Sequence, residues 1–206
     1  MQNIRIATNS KLKDWEHIFK CWQEELETVI ELCDGNDAPY LHAEHGSTHH
    51  FGVSASKCGF GTIREVIGKR QGGNARLDLC LISTKIIDII EAKWLEFDCT
   101  KVYPLGRISS LLNKACSDAA SYENNHSLFQ SKDKTFRRSG VLFISPYFKH
   151  DINHSRIKRL IDDISSSLNP DILAYSFPKK AEKIRYWKRI YPGTIAIVRN
   201  NGTTNK

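Results

Sequence analysis

The distribution of apolar residues along the chain predicts an α/β fold, a mixed central β-sheet flanked by helices. Three observations carry that expectation. A helical stripe occupies the N-terminal part, short apolar runs with strand character fill the middle, and helix and strand patterns then alternate towards the C-terminus. A chain of 206 residues can bury one sizeable core, so a single domain over 1–206 is expected. Its core would span about 38–148, with the N-terminal helix and the C-terminal elements packed on it.

Residues 1–10 carry no clear periodicity and are expected to be loosely ordered. Over 14–33, Trp15, Ile18, Phe19, Trp22, Leu26, Val29, Ile30 and Cys33 recur at spacings of three and four. That is an amphipathic helix, capped by Asp14 or a residue near it and stopped by Asp34-Gly35-Asn36. Its Glu24, Glu25, Glu27 and Glu31 read as the solvated face. A second helix is expected over 43–57, ending at Gly59. Residues 62–70 read as a strand, and Gln71-Gly72-Gly73-Asn74 as the turn out of it. A hairpin follows, then a helix over about 107–122. The polar stretch 123–138, with Lys132, Lys134, Arg137 and Arg138, reads as a mobile loop. A strand at 140–147, a helix at 152–168, and strands at 170–177 and 194–198 complete the pattern. Residues 200–206 are expected to fray.

The hairpin carries the chemistry. Arg76-Leu77-Asp78-Leu79-Cys80-Leu81-Ile82 and a second apolar run containing Glu91-Ala92-Lys93 are separated by Ser83-Thr84-Lys85. Leaving Asp78, Glu91 and Lys93 unpaired among Leu and Ile would cost roughly 2 kcal/mol or more per group. If Thr84-Lys85 is a two-residue turn, Ser83 pairs with Ile86 and Asp78 falls opposite Glu91. Glu91 and Lys93 share a face of their strand. Two carboxylates on adjacent strands with a lysine beside them can hold Mg²⁺ and position a water. The alternative is a buried ion pair that only stabilises the hairpin.

Asp78 and Glu91-Ala92-Lys93 resemble the signature of the PD-(D/E)xK, or restriction-endonuclease-like, nuclease superfamily: an Asp on one core strand and Glu-x-Lys on the next. The resemblance covers about residues 38–94. It runs through Ala38-Pro39-Tyr40-Leu41-His42-Ala43-Glu44, Ile63-Arg64-Glu65-Val66 with Lys69, Arg76-Leu77-Asp78-Leu79 and Ile90-Glu91-Ala92-Lys93, in an order similar to that of uncharacterised bacterial members. In such members a helix before the first core strand carries an acidic residue, and Glu44 stands in that place. Two departures are visible. Leu77 occupies the position of the expected Pro, and the helix around Glu44 is unusually polar, with His45, His49 and His50.

The resemblance implies a restriction-endonuclease-like core and Mg²⁺ or Mn²⁺ held by Asp78, Glu91 and the main-chain carbonyl of Ala92. It further implies Lys93 acting on the attacking water and Glu44 anchoring a second metal or orienting a water. The implied activity is endo- or exonucleolytic hydrolysis of phosphodiester bonds, with DNA as the expected substrate and a homodimer as a possible assembly. A non-catalytic nucleic-acid-binding protein that retains the nuclease fold is the alternative, and a cytosolic protein-interaction domain is a third reading.

Glu65 and Lys69 share a strand face, so Glu65 is a secondary site candidate, a metal ligand or a partner of Lys69 or Arg64. Arg76 shares a face with Asp78 and is a second candidate, by pairing with it or by reaching a phosphate. His45 and His49, four apart on a helix, could share a zinc ion. Polar residues lining a cleft are the plainer account. In that setting a histidine such as His45 could contact phosphate or carry a proton. The formal charge of +7 suits a polyanionic partner. Lys69 and Arg70, and Lys183, Arg185, Lys188 and Arg189 around Tyr186, Trp187 and Tyr191, are the candidate nucleic-acid contacts. A solvated face over buried aromatics accounts for that late cluster equally well. Cysteines at 21, 33, 58, 80, 99 and 116 form no Cys-x-x-Cys pair, which predicts reduced thiols in a cytosolic protein. No signal-peptide stretch or membrane-spanning run is visible.

Overall fold

The computed structural model of the chain describes residues 1–70, 73–122 and 133–204; the side chains of Lys69, Arg70, Thr203 and Thr204 lie outside the description. The strands are β1 (Gln2–Ile6), β2 (Gly61–Arg70), β3 (Gly73–Ile82), β4 (Ile86–Asp98), β5 (Thr135–Tyr147), β6 (Ile172–Ser176), β7 (Arg185–Tyr186), β8 (Arg189–Ile190) and β9 (Thr194–Thr204). The helices are α1 (Trp15–Leu32), α2 (Ala43–Lys57), α3 (Leu105–Ala120) and α4 (His154–Leu168).

Seven strands form one sheet in the order β1-β6-β9-β5-β4-β3-β2, while β7 and β8 pair separately. β4 and β5 run parallel from Ile86↔Thr135 to Asp98↔Tyr147, and the other neighbours in the sheet are antiparallel. A parallel pair needs a crossover, and α3 lies within it. Both faces of this central pair are covered, which explains the near-continuous apolar character of β4 and β5. On one face α1 and α2 supply Trp15, Phe19, Trp22 and Phe51 against Leu79, Ile90, Ala92 and Phe143. On the other, α3 and α4 supply Ile108, Leu112, Ile157 and Leu160 against Leu95, Leu142 and Ile144. The approach of α3 depends on Gly140, where a Cβ would fall 2.5 Å from the Cys116 main-chain nitrogen.

Several expectations need correction. Residues 2–6 form an edge strand, paired from Gln2↔Ser176 to Ile6↔Ile172. Asp14 stands at the N-cap of α1, as expected, but its side chain makes no capping bond. Its carboxylate instead takes two bonds from Arg137, at 2.7 and 2.8 Å. Arg137 and Arg138 therefore belong to β5 rather than to a loop. The reason is charge pairing: Asp88 stands beside Arg137 in the β4–β5 register and accepts from it at 2.6 and 2.9 Å. The Trp15 indole also donates to Asp88. Asp88 is fully buried and Arg137 is 3 % exposed, so the pair is a core element. β9 runs on through residues expected to fray, and Phe136↔Thr204 is its last pair. Gly73 and Asn74 begin β3, whereas Gln71, Gly72 and Lys132 lie outside the described residues. Among the described residues no helix is long and apolar enough to cross a membrane.

Candidate active site

The β3–β4 turn closes where the two-residue reading puts it. The Ser83 N–H donates to the Ile86 carbonyl at 2.8 Å, and the ladder then runs from Ile82↔Ile87 to Leu79↔Ile90. One further step sets Asp78 opposite Glu91, and there the regular ladder ends. The Asp78 carboxylate takes over as acceptor, receiving the Ala92 N–H at 2.8 Å. A side chain thus replaces a main-chain carbonyl, and the two strands part around it.

Lys93 fills the space beside this parting. Its ammonium donates to the Ala92 carbonyl at 2.6 Å and lies 3.8 Å from Glu91 and 3.9 Å from Asp118 of α3. The Glu91 side chain is 3 % exposed and that of Lys93 is 19 % exposed, so the charges interact with little solvent between them. Asp118 was not singled out from sequence. It lies on the stripe of α3 shared with half-buried Leu111 and buried Ala115, and an acidic residue on an inward stripe was the available signal.

Glu44 stands in the first turn of α2, directly after Ala43, which takes a left-handed backbone at φ 55°. It shares one narrow, closed crevice with His45, Thr48, Arg64, Glu65 and Asp78. Burial raises its pKa; the Lys93 charge opposes that and the Asp78 charge adds to it. Asp78, Glu91, Lys93 and Glu44 are therefore brought to one place.

β2 is distorted opposite Asp78. Glu65 has φ 53°, a left-handed conformation inside a strand, while Arg64↔Leu79 and Val66↔Leu77 pair normally on either side. A non-glycine residue held this way costs about 1–3 kcal/mol. The kink lets consecutive Arg64 and Glu65 line the same crevice. Glu65 lies 3.6 Å from Arg76 and 4.0 Å from the exposed His45. Arg76 thus pairs with Glu65 and not with Asp78. The Arg64 guanidinium donates to His49 Nδ1 at 2.9 Å, while His45 faces Glu65 instead. His50 turns into the core, where its Nε2 bonds the Trp22 carbonyl at 3.2 Å. Burial lowers its pKa to about 4.

No family model, curated protein or solved structure matches this chain.

Among the described residues no group of three or more His, Cys, Asp or Glu side chains is placed to hold a metal. Asp78, Glu91 and the Ala92 carbonyl are instead two carboxylates and a main-chain oxygen. Mg²⁺ prefers all-oxygen ligands, uses one or two carboxylates, and completes its shell with waters and substrate phosphate. Two of these groups, the Ala92 carbonyl and the Glu91 carboxylate, already face a cation, the Lys93 ammonium. The residues fit a hard cation and not a zinc cage.

Of the candidate nucleic-acid contacts, Lys183, Arg185 and Lys188 are exposed. Arg189 is committed elsewhere: it is bound to Glu96 and stacks over the Tyr147 ring at 4.3 Å. The side chains of Lys69 and Arg70 lie outside the described residues.

Proposed function

We propose that this chain is a Mg²⁺- or Mn²⁺-dependent nuclease with a PD-(D/E)xK, restriction-endonuclease-like core, hydrolysing phosphodiester bonds in DNA. The observation that carries the reading is the parting of β3 and β4 at Asp78, with Glu91, Ala92 and Lys93 beside it. There the main-chain ladder gives way to a half-buried cluster of charges, which stability alone does not require.

Asp78, Glu91 and the Ala92 carbonyl would hold the cation. When bound, it supplies a Lewis acid for the phosphoryl oxygen and an acidified water. Lys93 orients the attacking water and stabilises charge that develops on the phosphate. Glu91 and Asp118 keep Lys93 in place between turnovers. Glu44, raised in pKa by its half-buried position, orients a water or a further ligand from α2. Water adds to phosphorus and gives up a proton, one P–O bond breaks, and the leaving oxygen takes a proton from solvent. The net charge of +7 suits a polyanionic substrate.

The rival reading is a nucleic-acid-binding protein that keeps the fold without turnover. It draws on the bond from Lys93 to the Ala92 carbonyl, which closes the lysine onto its own strand. Calorimetric titration with Mg²⁺ and Mn²⁺ separates the two. Wild-type protein should bind, and a folded Asp78→Asn/Glu91→Gln variant should not. No binding to folded wild type, with nucleic acid present, would favour the rival.

A further inference from the structure

We propose that the β7–β8 hairpin is a base-stacking finger, and that the chain prefers nucleic acid with unpaired bases. The proposal rests on the nuclease reading and specifies its substrate. Tyr186 pairs with Arg189, so Trp187 and Lys188 are the two residues of the turn. Both have left-handed backbones, at φ 50° and 62°. Turns of this kind favour Asn-Gly, and a tryptophan is a strained choice. The strain presents an indole to solvent: Trp187 is 79 % exposed and Tyr186 is 51 % exposed, the rings meeting edge-on at 6.1 Å. Trp15 and Trp22 are buried, and Trp94 is half-buried.

The stem is fixed while the tip is bare. Ile190 and Phe148 exchange main-chain bonds at 2.8 and 2.9 Å. Arg189 is anchored by Glu96 and Tyr147, and the Tyr191 carbonyl accepts the Tyr40 hydroxyl at 3.0 Å. Tyr40 lies four residues before Glu44, so the stem is tied to the segment that delivers a site carboxylate. The tip is flanked by exposed Lys183, Arg185 and Lys188. Of the acids near the stem, Glu96 is bound by Arg189 and Glu182 lies 3.4 Å from His154.

Two exposed rings are too small a patch for a stable protein interface, which buries about 1,200–2,000 Å². Flat aromatics among cations instead match a base and its phosphate, and stacking of this kind accepts any base. A duplex hides base faces within its stack, so the finger engages single strands, ends or bulges.

The test uses the full chain without divalent metal, so that binding is read apart from cleavage. A single-stranded oligodeoxythymidine and a blunt duplex of equal length are titrated against wild type, Trp187→Ala and Trp187→Phe. Intrinsic tryptophan fluorescence and anisotropy of labelled nucleic acid are the readouts. The single strand should quench the wild-type emission. Trp187→Ala should weaken its binding about tenfold, Trp187→Phe should restore most of the loss, and duplex affinity should change less than twofold. Unchanged single-strand affinity in Trp187→Ala, or equal losses on both substrates, overturns the finger while leaving the nuclease reading standing. No binding of either nucleic acid, in metal-free buffer or with Ca²⁺ added as a non-catalytic substitute, overturns both. Trp187-dependent binding to anionic phospholipid vesicles, with none to DNA, would overturn the proposal in favour of a membrane-surface anchor.

Discussion

The Asp78 carboxylate accepts the Ala92 main-chain N–H at 2.8 Å at the point where the β3–β4 ladder ends. This one bond does two things. It satisfies a main-chain donor that the parting strands would otherwise leave without an acceptor, and it holds the carboxylate beside Glu91 and Lys93. The geometry of the candidate site and the integrity of the sheet therefore share a residue.

Asp78→Asn should preserve the fold, because an amide oxygen can accept the same N–H. It should nevertheless weaken Mg²⁺ affinity at least tenfold, through loss of the anionic ligand. Asp78→Ala removes the acceptor as well and should cost about 1–3 kcal/mol in urea unfolding. Equal metal affinity in wild type and Asp78→Asn would remove this carboxylate from the ligand set.

Lys93→Ala should leave folding largely intact and abolish hydrolysis. Its metal affinity should equal or exceed that of the wild type, since the ammonium lies on the Ala92 carbonyl and near Glu91. Calorimetry and single-turnover cleavage check the two halves separately. Failure of the variant to fold would mark the lysine as a structural counter-ion instead.

His50 gives a pH dependence to stability. Its pKa falls to about 4 in the folded protein, below the usual value of 6.5, because burial disfavours the charged ring. The unfolded chain therefore binds the extra proton first. The stabilisation is complete above pH 6.5 and is lost as pH falls towards 4, by about 3 kcal/mol at most. Chemical denaturation at several pH values should show this slope, and His50→Gln should flatten it.

Arg137→Met should destabilise the protein by about 3–5 kcal/mol, because fully buried Asp88 would lose its cation. Asp14→Asn should cost much less, since the Asp14 side chain is 40 % exposed and solvent can replace its bond. Thermal unfolding of the two variants orders the effects. A larger loss in Asp14→Asn would contradict the pairing described for Asp88.

Local signals carried the parts of this structure that were legible in sequence. A polar break between two apolar runs located the β3–β4 turn, and the two-fold periodicity of strands then put Asp78 across from Glu91. Helical spacing and Gly59 located α1 and α2. Residues whose roles depend on distant partners were not legible. Arg137 read as part of a polar loop because Asp88 and Asp14 lie 49 and 123 positions away. Asp118 reaches Lys93 only once α3 has packed on the sheet at Gly140. The left-handed backbone at Glu65, which turns that side chain towards Arg76 and His45, has no signature in a run of ordinary strand residues. Residues 2–6 offer only Ile4 and Ile6 at strand spacing, a signal too short to show a strand whose order comes from the ladder to β6.

The most direct test of the central claim is a cleavage assay on end-labelled single-stranded and duplex DNA, in Mg²⁺ and in chelator, with wild type, Asp78→Asn and Lys93→Ala compared at equal folded concentration. The account predicts fragments with wild type in Mg²⁺ alone, and loss of at least a hundredfold in rate in both variants. Cleavage that persists undiminished in either variant, or no Mg²⁺-dependent cleavage of any DNA or RNA by folded wild type, would contradict it.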